Sequence, residues 1–358
     1  MKEKKKRMLW WGRFGNYGPD YPRNRTLMQC LSNLGWEIIE YQPRISALAH
    51  LEAVVHSFEN ITVVWVPCFR QRDVAAAAKW AQCRQVPLIF DPLISAYDKR
   101  VNERKKFSAN SKAAQKILRW ESRLFAKADF VIADTLCHQD YFEKTLACDR
   151  QRIVVLPVSA EESLFYPEPT PLKKKPDVLF FGTFIGLQGA KYIAESIQYY
   201  QGPAITLRFL GAGPEHDEVK STALMHENES VAVTFEDWIP FTKLADKIRS
   251  AQICLGVFGT GEKSFRVIPN KVYQALACDK LVVTMKGDAY PDMPENGPGG
   301  FYWCQAGDPQ DIAEQLKSAV TDYLEGEAVQ GKARSLYDNY FSNSIVSERL
   351  HKMLNHFG

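Results

Sequence analysis

The sequence predicts two doubly wound α/β units, each a parallel sheet covered by helices on both faces. Three observations lead there. The chain has 358 residues, 46% hydrophobic and 24% charged, which exceeds the usual length of one domain and is ordinary for a folded globular protein. Short apolar runs alternate with helix-like stretches along most of it, the pattern of strands buried on both faces and joined by helices. The alternation breaks at residues 166–176, rich in proline and lysine and unable to continue either element, and then restarts.

In the first half, strands are expected at 7–11, 36–41, 61–66, 87–91, 129–134 and 152–156, with helices over stretches such as 24–34 and 73–85. Segment 166–176 reads as an interdomain linker. After it, strands are expected at 177–181, 205–210, 231–235, 252–257 and 281–284, and helices at 190–200, 241–250, 270–276 and 309–324. From residue 333 onward Leu336, Tyr337, Tyr340, Phe341, Ile345, Leu350 and Leu354 suit one or two amphipathic helices packing back on the body. The expected domains are 1–168, 169–335 and a helical tail at 336–358. No repeat of 20–50 residues is visible.

Composition narrows the function classes. The eight cysteines are scattered, with no C-x-x-C pair and no histidine at zinc-finger spacing, and read as reduced, mostly buried thiols. No apolar run is long enough to span a bilayer, and residues 1–7 lead straight into a strand-like segment, so a cytoplasmic protein is expected. The net charge of +3 hides an asymmetry: residues 1–168 hold 26 Lys and Arg against 19 Asp and Glu, a net +7, leaving the remainder at −4. The positive charge gathers at 2–7 and at 99–123, where Arg104, Lys105, Lys106, Lys112, Lys116 and Arg119 surround Phe107 and Trp120. A solvated helix face accounts for this, and so does attraction to an anionic acceptor or to the inner face of a membrane. No nucleic-acid partner is expected.

In open α/β sheets ligands bind beyond the carboxyl ends of the strands, so the loops there matter most. The first such loop runs from Gly12 through Gly15, Asn16 and Gly18. Its spacing, G-x-x-G-x-x-G, departs from the dinucleotide fingerprint, and Glu40 alone stands near the position of the acidic partner. In the second half, Gly182 and Gly211 end successive strands, and two glycine turns on adjacent strand ends suit a pyrophosphate as well as an ordinary tight turn. Residues 259–277 combine a glycine loop, cations including Arg266 and Lys271, and a helix start at Pro269-Asn270. Cations beside a helix N-terminus make an anion site, and that helix turns Lys271 and Gln274 to one face.

Together these segments resemble the family 4 glycosyltransferases over nearly the whole chain. Residues 178–189 resemble the family's strand and glycine turn opening the donor domain, 208–214 its Gly-x-Gly-Pro element, and 231–239 and 244–257 the elements that follow. Most specific is 268–284, similar to the signature donor helix and the strand after it, while 128–135 and 154–158 resemble the last elements before the family's linker. The resemblance implies a GT-B architecture, two Rossmann-like domains facing across a cleft, with donor bound by the second half and acceptor by the first.

The departures from the family pattern are specific. The family commonly carries two Glu eight positions apart; here Arg266 and Gln274 stand there, leaving Glu262 as the nearby acidic candidate for the sugar contact. The Arg and Lys that often hold the diphosphate after the first donor strand are replaced by Thr183 and Gln188. The implied mechanism is transfer from a UDP- or GDP-sugar to a glycan or lipid-linked acceptor, with retention. Arg266 and Lys271 would stabilise the departing diphosphate, Gln274 would hold the ribose, and Gly182, Thr183, Gly211 and Asn270 would line the donor site. On the acceptor side Tyr97 and Asp98 follow a strand end where many members place a histidine, and they join Gly15 and Asn16 as candidates. Asp98 is equally explained as a turn cap. The seven histidines do not cluster, and His138, His216 and His226 read as surface residues. No Asp-x-Asp suits a metal, and the nucleotide-sugar is a substrate, so neither metal nor cofactor is expected. Two other readings stay open: a nucleotide-sugar epimerase on the same fold, and a glycosyltransferase-like binding protein that has lost catalysis.

Overall fold

The computed structural model describes residues 6–12, 21–293, 300–326 and 330–355. The chain forms two compact units, one of residues 1–158 with 343–358 and one of residues 159–342. The crossings between them therefore fall at Val158–Ser159 and Ser342–Asn343, and the proline-rich segment 166–176 belongs to the second unit.

Unit 1 is built from β1 (Arg7–Trp11), α1 (Pro22–Asn33), β2 (Glu37–Tyr41), α2 (Ala49–Val55), β3 (Val63–Val66), α3 (Val74–Arg84), β4 (Leu88–Phe90), α4 (Lys112–Phe125), β5 (Phe130–Ala133), α5 (Leu136–Leu146) and β6 (Ile153–Val155). All pairings are parallel, in the order β2-β1-β3-β4-β5-β6. Alternation along β1 sorts its side chains between two cores. Trp10 pairs in register with Trp65 of β3, and the two rings stack 5.7 Å apart on one face with Leu27 and Leu31 of α1. Trp11 points the other way, among Trp80, Phe90 and Phe125 beneath α3 and α4. Indoles buried side by side contribute area and a favourable ring contact together.

Unit 2 holds β7 (Asp177–Phe181), α6 (Ala190–Ser196), β8 (Ile205–Leu210), α7 (His216–His226), β9 (Val231–Glu236), α8 (Phe241–Ser250), β10 (Ile253–Leu255), α9 (Glu262–Arg266), α10 (Asn270–Ala277), β11 (Leu281–Met285), β12 (Phe301–Cys304), α11 (Pro309–Glu325) and α12 (Lys332–Tyr340). Its parallel order is β12-β11-β10-β7-β8-β9. Pro at the start of α11 and the Asp308 carboxylate, which accepts from the Gln310 and Asp311 amides, satisfy that helix's first turn. The last helix, α13 (Asn343–Leu354), returns to unit 1, where Val346 and Leu350 share a core with Leu27 and Leu31 of α1.

The expected strands appear within about two residues of their expected ends. The sequence reading has no strand at Phe301–Cys304, yet all four residues are buried as β12 beside β11. It also treats 259–266 as a loop, whereas Glu262–Arg266 forms the short helix α9. His138 is corrected too: it is 2% exposed on α5, with its Nδ1 hydrogen-bonded to the buried Asp134.

Candidate functional site

In unit 2 the chain leaves β7 through β8 and β9 to one side, then returns to β10 and proceeds the other way. The switch point thus lies between β7 and β10, where open parallel sheets bind ligands. The loops after β7, β8 and β10 meet there backbone to backbone. A Cβ on Gly211, whose φ is +130°, would lie 2.2 Å from the Gly182 carbonyl oxygen, and one on Gly259 would lie 2.3 Å from that of Gly186. Only glycine lets these segments approach so closely.

Lys271 enters this site from the first turn of α10. It is 5% exposed, and its Nζ lies 3.9 Å from the centre of the Phe180 ring and 3.2 Å from where a Cβ on Gly182 would be. The ammonium has no hydrogen-bond partner among the described residues. Burial consequently holds its pKa well below the ordinary lysine value. Beside it, Gln188 Oε1 is 3.6 Å from the same Gly182 Cβ position and is likewise buried without a partner. Glu215, at the start of α7, presents another buried unpartnered oxygen, and burial pushes its carboxyl up against the pull of Lys191. A donor lacking an acceptor beside acceptors lacking donors is the arrangement left when a polar ligand completes the set.

The structure brings Gly182, Gly211, Lys271 and Gln188 together; Gln274 is buried one turn along α10 from Lys271, and Asn270 opens that helix. Thr183 is exposed in the loop after β7. Glu262 and Arg266 form an i,i+4 pair along α9, 3.8 Å apart, with the Glu262 side chain 84% exposed. Glu215 is the residue that sequence reasoning missed, because a lone Glu before a helix has no distinguishing spacing.

In unit 1, Asp91 at the end of β4 and Arg23 of α1 form an ion pair of 2.8 Å with both side chains fully buried. Arg23 also donates to the carbonyls of Leu156 and Pro157, tying α1 to the end of β6. Asp134 is buried, which alone would raise its carboxyl, but His138 and the nearby Arg23 hold it below the usual range. Asp98 is buried and accepts from the Asn102 side chain at 2.7 Å, while Tyr97 leads into the helical turn Asp98–Glu103, whose entry is pinned by Glu121, which accepts from the Ser95 hydroxyl and the Ala96 and Tyr97 amides. Gly15 and Asn16 lie outside the described residues. Among the described residues no helix is long and apolar enough to cross a membrane.

No curated protein sequence matches the chain. The fold is similar to that of HepE from Anabaena, solved with UDP and glucose, at a TM-score of 0.71 and 15% identity, covering 98% of this chain and 100% of that one. It is similar also to a sucrose-phosphate synthase from Thermosynechococcus elongatus (TM-score 0.70, 15% identity, 98% of each chain) and to the lipopolysaccharide outer core galactosyltransferase WaaB (TM-score 0.63, 14% identity, 99% of each chain). These likenesses establish the GT-B fold. Residues 175–322, which carry the whole glycine-lined switch point and Lys271, match the family model for glycosyl transferases group 1.

Proposed function

We propose that the protein transfers a hexose from a UDP-sugar to a glycan or lipid-linked acceptor, with retention at the sugar carbon and without a metal. The observation that carries this is the unpartnered Lys271 ammonium above Gly182, at the switch point of unit 2. A diphosphate seated there would supply the missing acceptor, and a charge-assisted hydrogen bond to phosphate is among the strongest a protein makes. The bond from sugar carbon to β-phosphate oxygen breaks, negative charge grows on the departing diphosphate, and an acceptor oxygen forms the new bond, any proton it carries passing to the departing phosphate oxygen. Lys271, Arg266 and the N-terminus of α10 meet that charge, in place of a metal. Gln274 reaches the ribose hydroxyls, the Gln188 and Glu215 oxygens take hydroxyls of the donor, and Gly182, Thr183, Gly211 and Asn270 line the phosphates. UDP is favoured over GDP because HepE, on the same fold, is known in complex with UDP and with UDP-glucose.

Unit 1, the basic half, takes the acceptor, with Tyr97 and Asp98 on the acceptor side, in a protein of the cytoplasm resting peripherally on anionic lipid. Isothermal titration with UDP and GDP, followed by a transfer assay with UDP-hexoses, tests the reading. UDP binding lost in Lys271→Met supports it, and equal UDP binding by that variant refutes it. One observation favours a second reading, a nucleotide-binding protein without turnover: Glu262 is largely in solvent and paired with Arg266. UDP binding with no turnover of any UDP-hexose would decide for it.

A further inference from the structure

Unit 1 has its own switch point, between β1 and β3, and Arg70 sits there. It follows the end of β3, and its stem packs over Gly12, just past β1, with Cγ 3.1 Å from where a Cβ on Gly12 would be. Arg70 Nη2 is buried with no hydrogen-bond partner among the described residues, and burial lowers the guanidinium's pKa against the pull of Asp73. Arg70 opens into a pocket of about 370 Å³ also lined by Lys99, Arg100, Arg104 and Lys106, with no carboxylate in its wall. Asp73 is the carboxylate that acts on Arg70, while Asp98 is engaged with Asn102, and Glu121 with the Ser95 hydroxyl and the Ala96 and Tyr97 amides.

This cationic pocket continues into a groove of about 1180 Å³, since Phe69, Arg70, Gln71, Ala96 and Arg100 line both. The groove's further wall carries the apolar side chains Ile45, Phe107, Ile117, Trp120 and Leu124, with Arg72 and Lys116 among them and Asp73 its one carboxylate. Beside Ile45 the apolar surface runs out into solvent: Leu48, Leu51, Val54 and Val55 are each more than half exposed on α2 and the turn before it. An anion pocket joined to an apolar channel with an apolar mouth fits an amphiphile whose head is charged and whose body is hydrocarbon.

We propose that this groove binds the acceptor as a lipid phosphate, with the phosphate on Arg70, Arg100, Arg104 and Lys106 and the chain along Phe107, Ile117 and Trp120. The proposal rests on the glycosyltransferase reading and names its acceptor class. Farnesyl phosphate, inorganic phosphate and farnesol, titrated separately into the full chain below the critical micelle concentration, test it. Farnesyl phosphate is expected to bind at least tenfold more tightly than either fragment. Arg70→Gln, and Arg100→Glu with Arg104→Glu, which are exposed and leave the core untouched, should each weaken it at least tenfold while UDP affinity and the unfolding temperature stay unchanged. Ile117→Ser should weaken farnesyl phosphate and leave inorganic phosphate as it was. Inorganic phosphate binding as tightly as farnesyl phosphate would overturn the proposal in favour of a bare anion site, and farnesol binding equally would overturn it in favour of a simple apolar groove. Undiminished binding by the arginine variants would overturn it as well. Failure of UDP to bind the wild-type chain would count against the donor reading alone, because these titrations contain no nucleotide.

Discussion

Replacing Lys271 with Met should make the protein more stable and unable to hold its donor. The ammonium is buried, faces Phe180 at 3.9 Å, and has no acceptor among the described residues. The ring's attraction is worth at most about 2 kcal/mol, whereas taking an ion out of water costs several kcal/mol, so desolvation wins. Met has similar length and gains a sulfur–ring contact, which keeps the packing. A net gain of about 1–3 kcal/mol follows, and at roughly 2–4 °C per kcal/mol the unfolding temperature rises by about 2–12 °C. The pH dependence has a definite sign. Lys271 has a lowered folded pKa, so between that value and the ordinary 10.5 the unfolded chain holds a proton the folded chain lacks. Wild-type stability therefore climbs with pH across that window, and the advantage of the variant shrinks as pH approaches 10.5. UDP affinity should fall by about 1.5–3 kcal/mol, more than tenfold. Differential scanning fluorimetry across pH, with a UDP titration on both proteins, measures all three effects. A variant less stable than wild type would show that the buried ammonium is compensated, and one that binds UDP normally would remove Lys271 from the donor site.

Three further outcomes are expected. Gly259→Ala places a Cβ 2.3 Å from the Gly186 carbonyl oxygen, and should lower stability by about 1–3 kcal/mol and UDP affinity with it; unchanged thermal unfolding would show that the two loops move apart freely. Arg23→Met leaves Asp91 buried without its counter-charge and should cost about 3–5 kcal/mol, while adding Asp91→Leu should recover a large part, a coupling that urea denaturation of the singles and the double variant will reveal or exclude. Glu262→Gln should reduce turnover much more than UDP affinity if the side chain meets the sugar; kinetics identical to wild type would leave it as an exposed partner of Arg266, worth at most about 1 kcal/mol.

The sheets were legible because parallel strands buried on both faces write themselves as continuous apolar runs; Arg7–Trp11 and Asp177–Phe181 show this directly. Phe301–Cys304 escaped because it follows a stretch of proline and glycine, and four aromatic-rich residues carry no period to distinguish strand from loop. Lys271 was legible from its place beside a helix start after a glycine loop. That it is buried and unpartnered was not, since Phe180 is some ninety positions away in the chain and comes under the ammonium only when β7 and α10 are packed together. Burial of His138 depends in the same way on the tertiary partner: its place on α5 is local, but what covers it is not. Arg70 had no signal at all, because a single arginine after a strand acquires meaning only when the sheet order puts it at a switch point.

The donor site stands on a nucleotide diphosphate seated over Gly182 and held by Lys271. A crystal structure of the protein soaked with UDP tests it most directly. A phosphate oxygen is expected about 2.7–2.9 Å from Lys271 Nζ, the distance of a charge-assisted hydrogen bond, with the diphosphate against the Gly182 backbone. UDP bound elsewhere, or bound with the Lys271 ammonium still lacking a phosphate partner, would contradict it.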